Sequence, residues 1–197
     1  NYPLFLIAGL FPWHWLANSI GAAPNIFLAN ATLLKKVRFP RNVLVASTVL
    51  NDGIHFLFSI PVILGFLLVF QSAPTWSWLV GIPLLALAQF MMAYGLALAI
   101  ASVNLFFRDL DRLTAIAVTF LFFLTPIAYS SAMIPAPYQA MIYLNPIAPL
   151  MVSWQQLFLS GSLSWPLLFL SYGYAVACLG LGSLVYLKLS SRFAEVV

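Results

Sequence analysis

Only a few residues of this 197-residue chain could take part in acid–base chemistry. Its two histidines are His14 and His55, and the carboxyl group nearest to either in sequence is that of Asp52. Asp52 and His55 are three positions apart, so on a helix their side chains can face one another. This spacing favours a structural pair, with a role in gating or substrate contact as the alternative. For His14 we expect a hydrogen-bonded residue of a helix bundle, with a proton relay as the alternative.

The sequence offers no further catalytic or metal-binding motif. Cys178 is the single cysteine, which excludes an internal disulfide and a metal site built from several cysteines. There is no Gly-x-x-x-x-Gly-Lys-Ser/Thr phosphate loop, so the chain is not expected to hydrolyse ATP itself. Two histidines and one nearby carboxylate are too few for an enzyme site. We therefore expect no catalytic residue, no metal ion and no cofactor bound by this chain.

The composition is that of an integral membrane protein. Hydrophobic residues make up 63% of the chain, charged residues make up 6%, and the mean hydropathy is +1.03. Soluble domains carry about a quarter charged residues. The net charge of +4 is concentrated beside apolar stretches, as the positive-inside rule requires, so we expect membrane lipids and no nucleic acid as partners.

Half of the basic residues lie in one segment, residues 30–41, between two uncharged stretches. Residues 1–34 and 53–107 contain no charged residue. A helical wheel places Leu33, Leu34 and Val37 on one face and the cations Lys35, Lys36 and Arg38 on the other. Pro40 should end this helix, because the residue before a proline avoids the helical region. We predict an amphipathic helix over about residues 30–39, which either anchors its neighbours to anionic lipid or docks onto a cytoplasmic partner.

The apolar stretches predict an all-α protein with one transmembrane domain. A span needs about 20 apolar residues to cross a hydrocarbon layer of ~30 Å. We predict five spans, at about residues 4–28, 53–70, 79–101, 113–129 and 167–187. Residues 42–51 are expected in the headgroup region or the cytosol, because a helix over residues 42–70 would be ~43 Å long. This would place Asp52 and His55 at the inner interface.

The charged residues predict the orientation of the chain. A second cytoplasmic loop follows the third span and contains the charged residues Arg108, Asp109, Asp111 and Arg112. With residues 35–41 and the C-terminus also on the cytoplasmic side, every charged residue lies inside. Five spans that end inside require Asn1 to lie outside, so we expect at least one further span upstream.

A proline-rich segment, residues 130–165, separates the last two predicted spans. Two full crossings would need about 40 uninterrupted apolar residues, which these prolines prevent. We predict two re-entrant half-helices instead, over residues 138–144 and 149–159, which dip in from the outer side and form the mouth of a pathway. The residues assigned to this outer gate are Pro135, Pro137, Asn145, Pro146 and Pro149.

Several motifs, spread over essentially the whole chain, resemble those of a known family. The specific ones are Asn30-Ala-Thr-Leu-Leu-Lys-Lys-Val-Arg-Phe-Pro-Arg41 and Leu144-Asn-Pro-Ile147. They are accompanied by Tyr2-Pro-Leu-Phe-Leu, Gly9-Leu-Phe-Pro-Trp13, Phe106-Phe-Arg-Asp109, Thr125-Pro-Ile-Ala-Tyr129 and Phe193-Ala-Glu-Val196. The chain resembles the membrane subunit of type-2 ABC exporters for cell-surface polysaccharides, the O-antigen and teichoic-acid permeases.

The resemblance implies six spans, a homodimer and two copies of a separate ATPase subunit that binds ATP and Mg²⁺. It also implies a bacterial cytoplasmic (inner) membrane location and a lipid-linked polysaccharide threaded between the protomers. Residues 130–165 would gate the outer mouth. The family pattern leads us to expect a basic residue near the second half-helix, where this chain has Gln155 and Gln156. The residues assigned to ATPase coupling are Leu33, Leu34, Lys35, Lys36, Val37, Arg38, Phe39, Pro40 and Arg41.

Aromatic rings can stack on the apolar faces of sugars without specific hydrogen bonds, so a repeating polymer could slide past them. The candidates for lining a glycan channel are Trp13, Trp15, Phe120, Phe123, Tyr129 and Tyr138. The alternative for each is anchoring at the membrane interface or packing. Lys35, Arg38 and Arg41 could likewise attract the pyrophosphate of a carrier lipid, in competition with docking of an ATPase.

Two other transport functions are compatible with the apolar spans. An ABC exporter of a small lipid or drug could use the same spans, although the proline-rich outer segment and the aromatic content of 16% favour a polymer. An ion-coupled secondary transporter would be expected to show internal repeats and charges at the membrane midplane. The sequence shows no repeat, and its charges are predicted at the interface.

Overall fold

The computed structural model describes residues 2–36, 39–70, 74–130, 133–135 and 143–193, with the backbone alone for residues 34–36. Over these ranges the chain is helical and contains no strand, which confirms the predicted all-α class. The helices are α1 (Tyr2–Ala29), α2 (Ala31–Lys36), α3 (Asn42–Val69), α4 (Trp78–Asn104), α5 (Leu110–Leu124), α6 (Ala148–Ser160) and α7 (Trp165–Ser190).

Four helices, α1, α3, α4 and α7, are long and apolar enough to cross a membrane. They have 26 to 28 residues each, or ~39–42 Å, which covers the hydrocarbon layer and part of both headgroup regions. The protein is therefore a multi-pass membrane protein. Prolines inside α1, α3 and α4 do not end these helices.

The fifth predicted span, residues 113–129, is not confirmed as a crossing. Helix α5 has 15 residues, or ~22 Å, and ends at Leu124. Thr125 adopts an extended conformation with ψ 135°, because it precedes Pro126. The helix thus stops before Tyr129, and α5 alone is shorter than the hydrocarbon layer.

Helix α3 begins at Asn42, whereas the predicted span begins at residue 53. Nothing in residues 42–52 breaks a helix, and Val45 and Val49, one turn apart, are both fully buried against the bundle. Residues 42–51 are therefore helical and continuous with the span, and the placement of Asp52 and His55 at the inner interface stays a prediction. The helix continues through Asp52 without a break.

One end of the bundle gathers the segments that carry most of the charged residues. The Asn104 side chain, at the end of α4, donates a hydrogen bond to the Pro24 carbonyl of α1 at 2.8 Å. The Phe193 ring, just beyond α7, contacts the rings of Phe27 and Phe106. The ends of α1, α4 and α7 that adjoin the basic segment, residues 108–112 and the C-terminal cations thus lie together, as the positive-inside argument predicts.

The interface between α4 and α7 is the most extensive in the bundle and depends on two glycines. A Cβ atom on Gly95 would overlap the carbonyl group of Cys178, and one on Gly182 would overlap that of Gly95. Small residues of this kind let two backbones approach closely in a membrane, where packing rather than water exclusion drives helix association.

We expect Gly95→Ala to destabilise the protein by about 1–3 kcal/mol, because the backbone of α4 or α7 must move to accept the methyl group. The measurement is the free energy of unfolding in detergent, titrated with a denaturing detergent. The matched control is Gly180→Ala on α7, whose added methyl group would meet no atom within 4 Å. Equal effects of the two substitutions would contradict the close packing at Gly95.

Candidate functional site

The segment predicted to form an amphipathic coupling helix is helical over Ala31–Lys36. Asn30 separates it from α1, and the Asn30 side chain donates to the Ile26 carbonyl at 2.8 Å, at the C-terminal end of α1. Leu33 is 42% exposed and Pro40 is exposed. Val37 and Arg38, together with the side chains of Leu34, Lys35 and Lys36, lie outside the described residues.

Arg41 is partly buried and contacts a cluster of aromatic rings. Its guanidinium group lies over the Phe193 ring, 5.6 Å from the ring centroid. Phe193 is fully buried, with the rings of Phe27, Tyr186 and Phe106 at centroid distances of 5.5, 5.9 and 6.3 Å. Arg41 therefore joins the start of α3 to the end of α7.

The second predicted cytoplasmic loop is exposed at the same end. The side chains of Arg108, Asp109, Asp111 and Arg112 are all exposed. The Asn25 amide donates to the Asp111 carboxylate at 3.4 Å, so the loop contacts the last turns of α1. The structure thus brings the two predicted cytoplasmic loops to one end of the bundle.

A polar cleft lies between α1 and α3, on the surface of the described chain, with a volume of about 110 Å³. Ser19, fully buried beneath it, donates a hydrogen bond to Asp52 Oδ2 at 2.8 Å. Asp52 and His55 both line the cleft, so the predicted proximity of this pair is present. The residues that line this polar cleft are Phe11, His14, Trp15, Asn18, Asp52, His55, Phe56 and Ser59.

The aromatic candidates for a glycan channel fall into two groups. Trp13 and Trp15 are 5% exposed, and the Trp15 indole donates to the Val49 carbonyl at 3.0 Å, so both rings belong to the core of the bundle. Phe120 and Phe123 are 68% and 69% exposed on α5. The assignment of Phe120 and Phe123 to a glycan channel stays a prediction.

Tyr129 follows α5 and is partly buried, and its hydroxyl group donates to the Phe123 carbonyl at 3.2 Å. Tyr138, the remaining candidate, lies outside the described residues.

One part of the predicted outer gate, around helix α6, lies against the core. Residues 149–159, predicted as the second half-helix, are helical in α6, which packs against α1, α4 and α7 and buries Pro149 and Trp154. Its re-entrant course stays a prediction. The first, residues 138–144, lies largely outside the described residues, as does Pro137. Pro135 is exposed, and Pro146 is partly buried in a turn ahead of α6.

Side-chain hydrogen bonds secure α6 at the end opposite the charges. Asn145 accepts from the Ile147 backbone at 3.0 Å and donates to the Thr125 hydroxyl at 2.9 Å. Gln155, where a basic residue was expected, is 5% exposed and donates to the carbonyls of Pro126 and Ile127 at 3.1 and 3.2 Å. Its amide thus supports the non-helical backbone after α5.

Comparison with curated proteins shows the family to which the chain is related. The chain is 42% identical over 199 residues to the O-antigen export system permease protein RfbA of Klebsiella pneumoniae, with 100% of this chain and 76% of that protein aligned. A protein of the same name from Myxococcus xanthus is 33% identical over 99% of this chain and 76% of its own length. The chain belongs to the O-antigen export permease family. A second Klebsiella pneumoniae protein of that name is 41% identical, and no protein-family model matches the chain. The resemblance to type-2 ABC exporter permeases is confirmed.

Two contacts of this permease could not have been found from sequence spacing. Ser19 and Asp52 are 33 positions apart, and Arg41 lies far from Phe193 in the chain. No local pattern signals either pair, because each depends on how separate helices pack. Among the described residues, no group of three His, Cys, Asp or Glu side chains could hold a metal ion.

We expect Arg41→Gln to destabilise the permease by about 1 kcal/mol, through loss of the cation–π contact with Phe193. Thermal unfolding in detergent measures the effect. The matched control is Arg112→Gln, because Arg112 is exposed at the same end of the bundle. An Arg41 variant as stable as the control would show that the ring contact contributes nothing.

A second prediction concerns Gln89 of α4, whose side chain is hydrogen-bonded to α1 and α6. Its amide donates to the Pro12 carbonyl at 2.7 Å, and its oxygen accepts from the fully buried Trp154 indole at 2.6 Å. Gln89→Leu leaves the indole N–H unsatisfied and should cost about 1–3 kcal/mol of unfolding free energy. Denaturing-detergent titration measures it. The control is Gln156→Leu, since the Gln156 Oε1 atom has no hydrogen-bond partner within the described structure. A Gln89 variant no less stable than this control would refute the role of the network.

Proposed function

We propose that this permease exports lipid-linked polysaccharide across the bacterial cytoplasmic membrane, as a homodimer driven by two copies of a separate ATPase subunit. The observation that carries the proposal is the alignment of the whole chain with proteins named as O-antigen export permeases at up to 42% identity. A relationship extending over every described helix favours a shared transport task over a shared fold alone.

The distribution of charge supports an ATPase docking surface at one end of the bundle. The coupling segment and residues 108–112 lie at that end, with Leu33, Arg108 and Arg112 exposed. A short helix that presents an apolar residue beside exposed charges suits a protein interface. In this proposal that end is cytoplasmic, and so is the C-terminus.

The coupling role belongs to only part of the basic segment. Arg41 is engaged with Phe193 and connects α3 to α7. We therefore assign the contact with the ATPase to Leu33 through Arg38, and we assign to Arg41 the task of transmitting movement of that segment to α3 and α7. Because the two roles differ, the test of ATPase docking leaves Arg41 unchanged.

The test uses the full-length permease co-purified with its ATPase subunit in lipid nanodiscs. Lys35→Ala/Lys36→Ala/Arg38→Ala should reduce the amount of co-purified ATPase at least about tenfold, as expected if the interface loses several charged contacts. The matched control is Arg108→Ala/Arg112→Ala, which removes exposed cations from the neighbouring loop. A larger loss in this control would move the main contact to residues 108–112.

The same preparation tests the cargo. Lipid-linked polysaccharide should stimulate ATP hydrolysis by the wild-type complex, whereas a small lipid or drug should not. Stimulation by a small lipid alone would favour the alternative ABC exporter. Failure of the wild-type permease to co-purify any ATPase would overturn the proposal and favour an ion-coupled transporter.

A further inference from the structure

The polar cleft between α1 and α3 lies far from both ends of the helices that form it. His55 is at the middle of α3, ~20 Å from either end, and Asp52 is ~15 Å from Asn42. Ser19, the hydrogen-bond partner of Asp52, is likewise ~15 Å from the end of α1. Two antiparallel helices thus give the same depth, which is within the hydrocarbon layer if helices of this length are centred in the membrane.

Polar side chains at this depth need a partner. His14, Asn18 and His55 are exposed on the surface of the described chain, and none of the three makes a hydrogen bond within the described residues. Lipid chains cannot satisfy an imidazole or an amide, so such residues face a watery cavity, a ligand or another protein surface. The cleft volume of about 110 Å³ would hold about three or four water molecules.

The side chains of the cleft suit hydroxyl groups better than phosphates. Imidazole, amide and hydroxyl groups can both donate and accept hydrogen bonds, as sugar hydroxyls do. The carboxyl group of Asp52 can accept from a hydroxyl, but as a carboxylate it repels the phosphates of a carrier lipid. The described cleft contains no lysine or arginine to offset that repulsion.

Aromatic rings provide the apolar part of the cleft. The Trp15 and Phe56 rings, both nearly buried, stack at a centroid distance of 5.5 Å with an angle of 21° between their planes. Phe11, partly buried, lines the cleft beside His14. Polar groups beside aromatic rings match a sugar, which has hydroxyls at its edge and apolar C–H groups on its faces.

We propose that this polar cleft binds the sugar hydroxyls of the glycan during its passage, at the level of His55 within the membrane. The inference rests on the proposed function, because it names the surface that the exported polymer contacts. It assigns His14, Asn18, Asp52 and His55 to transient hydrogen bonds with successive sugars. Because these groups are few, each sugar can be released as the next arrives.

A photo-crosslinking experiment tests contact directly. A benzophenone amino acid replaces Asn18 in the cleft or, as a control, Leu57, which is 49% exposed on α3 and lines a wholly apolar groove with Ile54 and Leu87. The full-length complex in nanodiscs is irradiated while it hydrolyses ATP in the presence of lipid-linked polysaccharide. We expect a glycan adduct, seen as a mass ladder on a gel, at position 18 and not at position 57.

Substitutions test the energetic contribution. Asn18→Leu and His55→Leu suit a membrane environment and should fold, and each should raise the glycan concentration that gives half-maximal ATPase stimulation about tenfold, with little change in the maximal rate. The matched control is Ser47→Ala, which removes an exposed hydroxyl group from α3 outside the cleft. It should leave the half-maximal concentration unchanged.

The outcomes separate this inference from the proposed function. If wild-type ATPase responds to glycan while position 18 yields no glycan adduct and the leucine variants respond normally, the cleft proposal is overturned and the proposed function stands. An adduct between two protomers at position 18 would also overturn it, because the cleft would then be an interface between copies of this chain. No response of the wild-type ATPase to glycan would overturn both.

Discussion

The absence of water in a hydrocarbon layer is the constraint on which this fold depends, because every polar group there must find its partner within the protein. The permease meets it with side chains that reach across helices. Gln89 and Asn104 of α4 donate to the carbonyls of Pro12 and Pro24 in α1, and a carbonyl oxygen can accept such a bond in addition to its helical one. Because these bonds are directional, they fix where along α1 the helix α4 must lie.

The same constraint accounts for the position of α6. The backbone after α5 leaves the helical conformation at Thr125, so its carbonyls need donors from elsewhere. Gln155 of α6 supplies two of these hydrogen bonds, and Trp78 of α4 donates to the Leu157 carbonyl at 2.9 Å near the other end of α6. Gly161, with φ 62°, ends α6 in a left-handed conformation against Thr75, where any Cβ atom would collide. Polar side chains here act as structural supports, and the glutamine at the position where the family pattern suggested a cation is one of them.

The polar cleft stands apart from this scheme. The buried side chains of Gln89, Trp154 and Gln155 are hydrogen-bonded, whereas His14, Asn18 and His55 stay exposed at mid-helix without hydrogen bonds among the described residues. The groove around Leu57, on another side of α3, is wholly apolar. Helix α3 thus has one face suited to polar groups and another suited to lipid or apolar protein.

The amino-acid sequence by itself determined the all-α membrane class, the helices around four of the predicted spans and the grouping of most charged residues at one end, because hydropathy and charge act locally along the chain. It also identified the proximity of Asp52 and His55, since three positions on a helix bring side chains together. Tertiary structure alone decided that α5 stops at Leu124, that Trp13 and Trp15 lie in the core and that Arg41 packs on Phe193. Each of these depends on contacts between helices distant in sequence. The hydrophobic periodicity of one helix indicates its buried face but does not identify the helix that packs against that face.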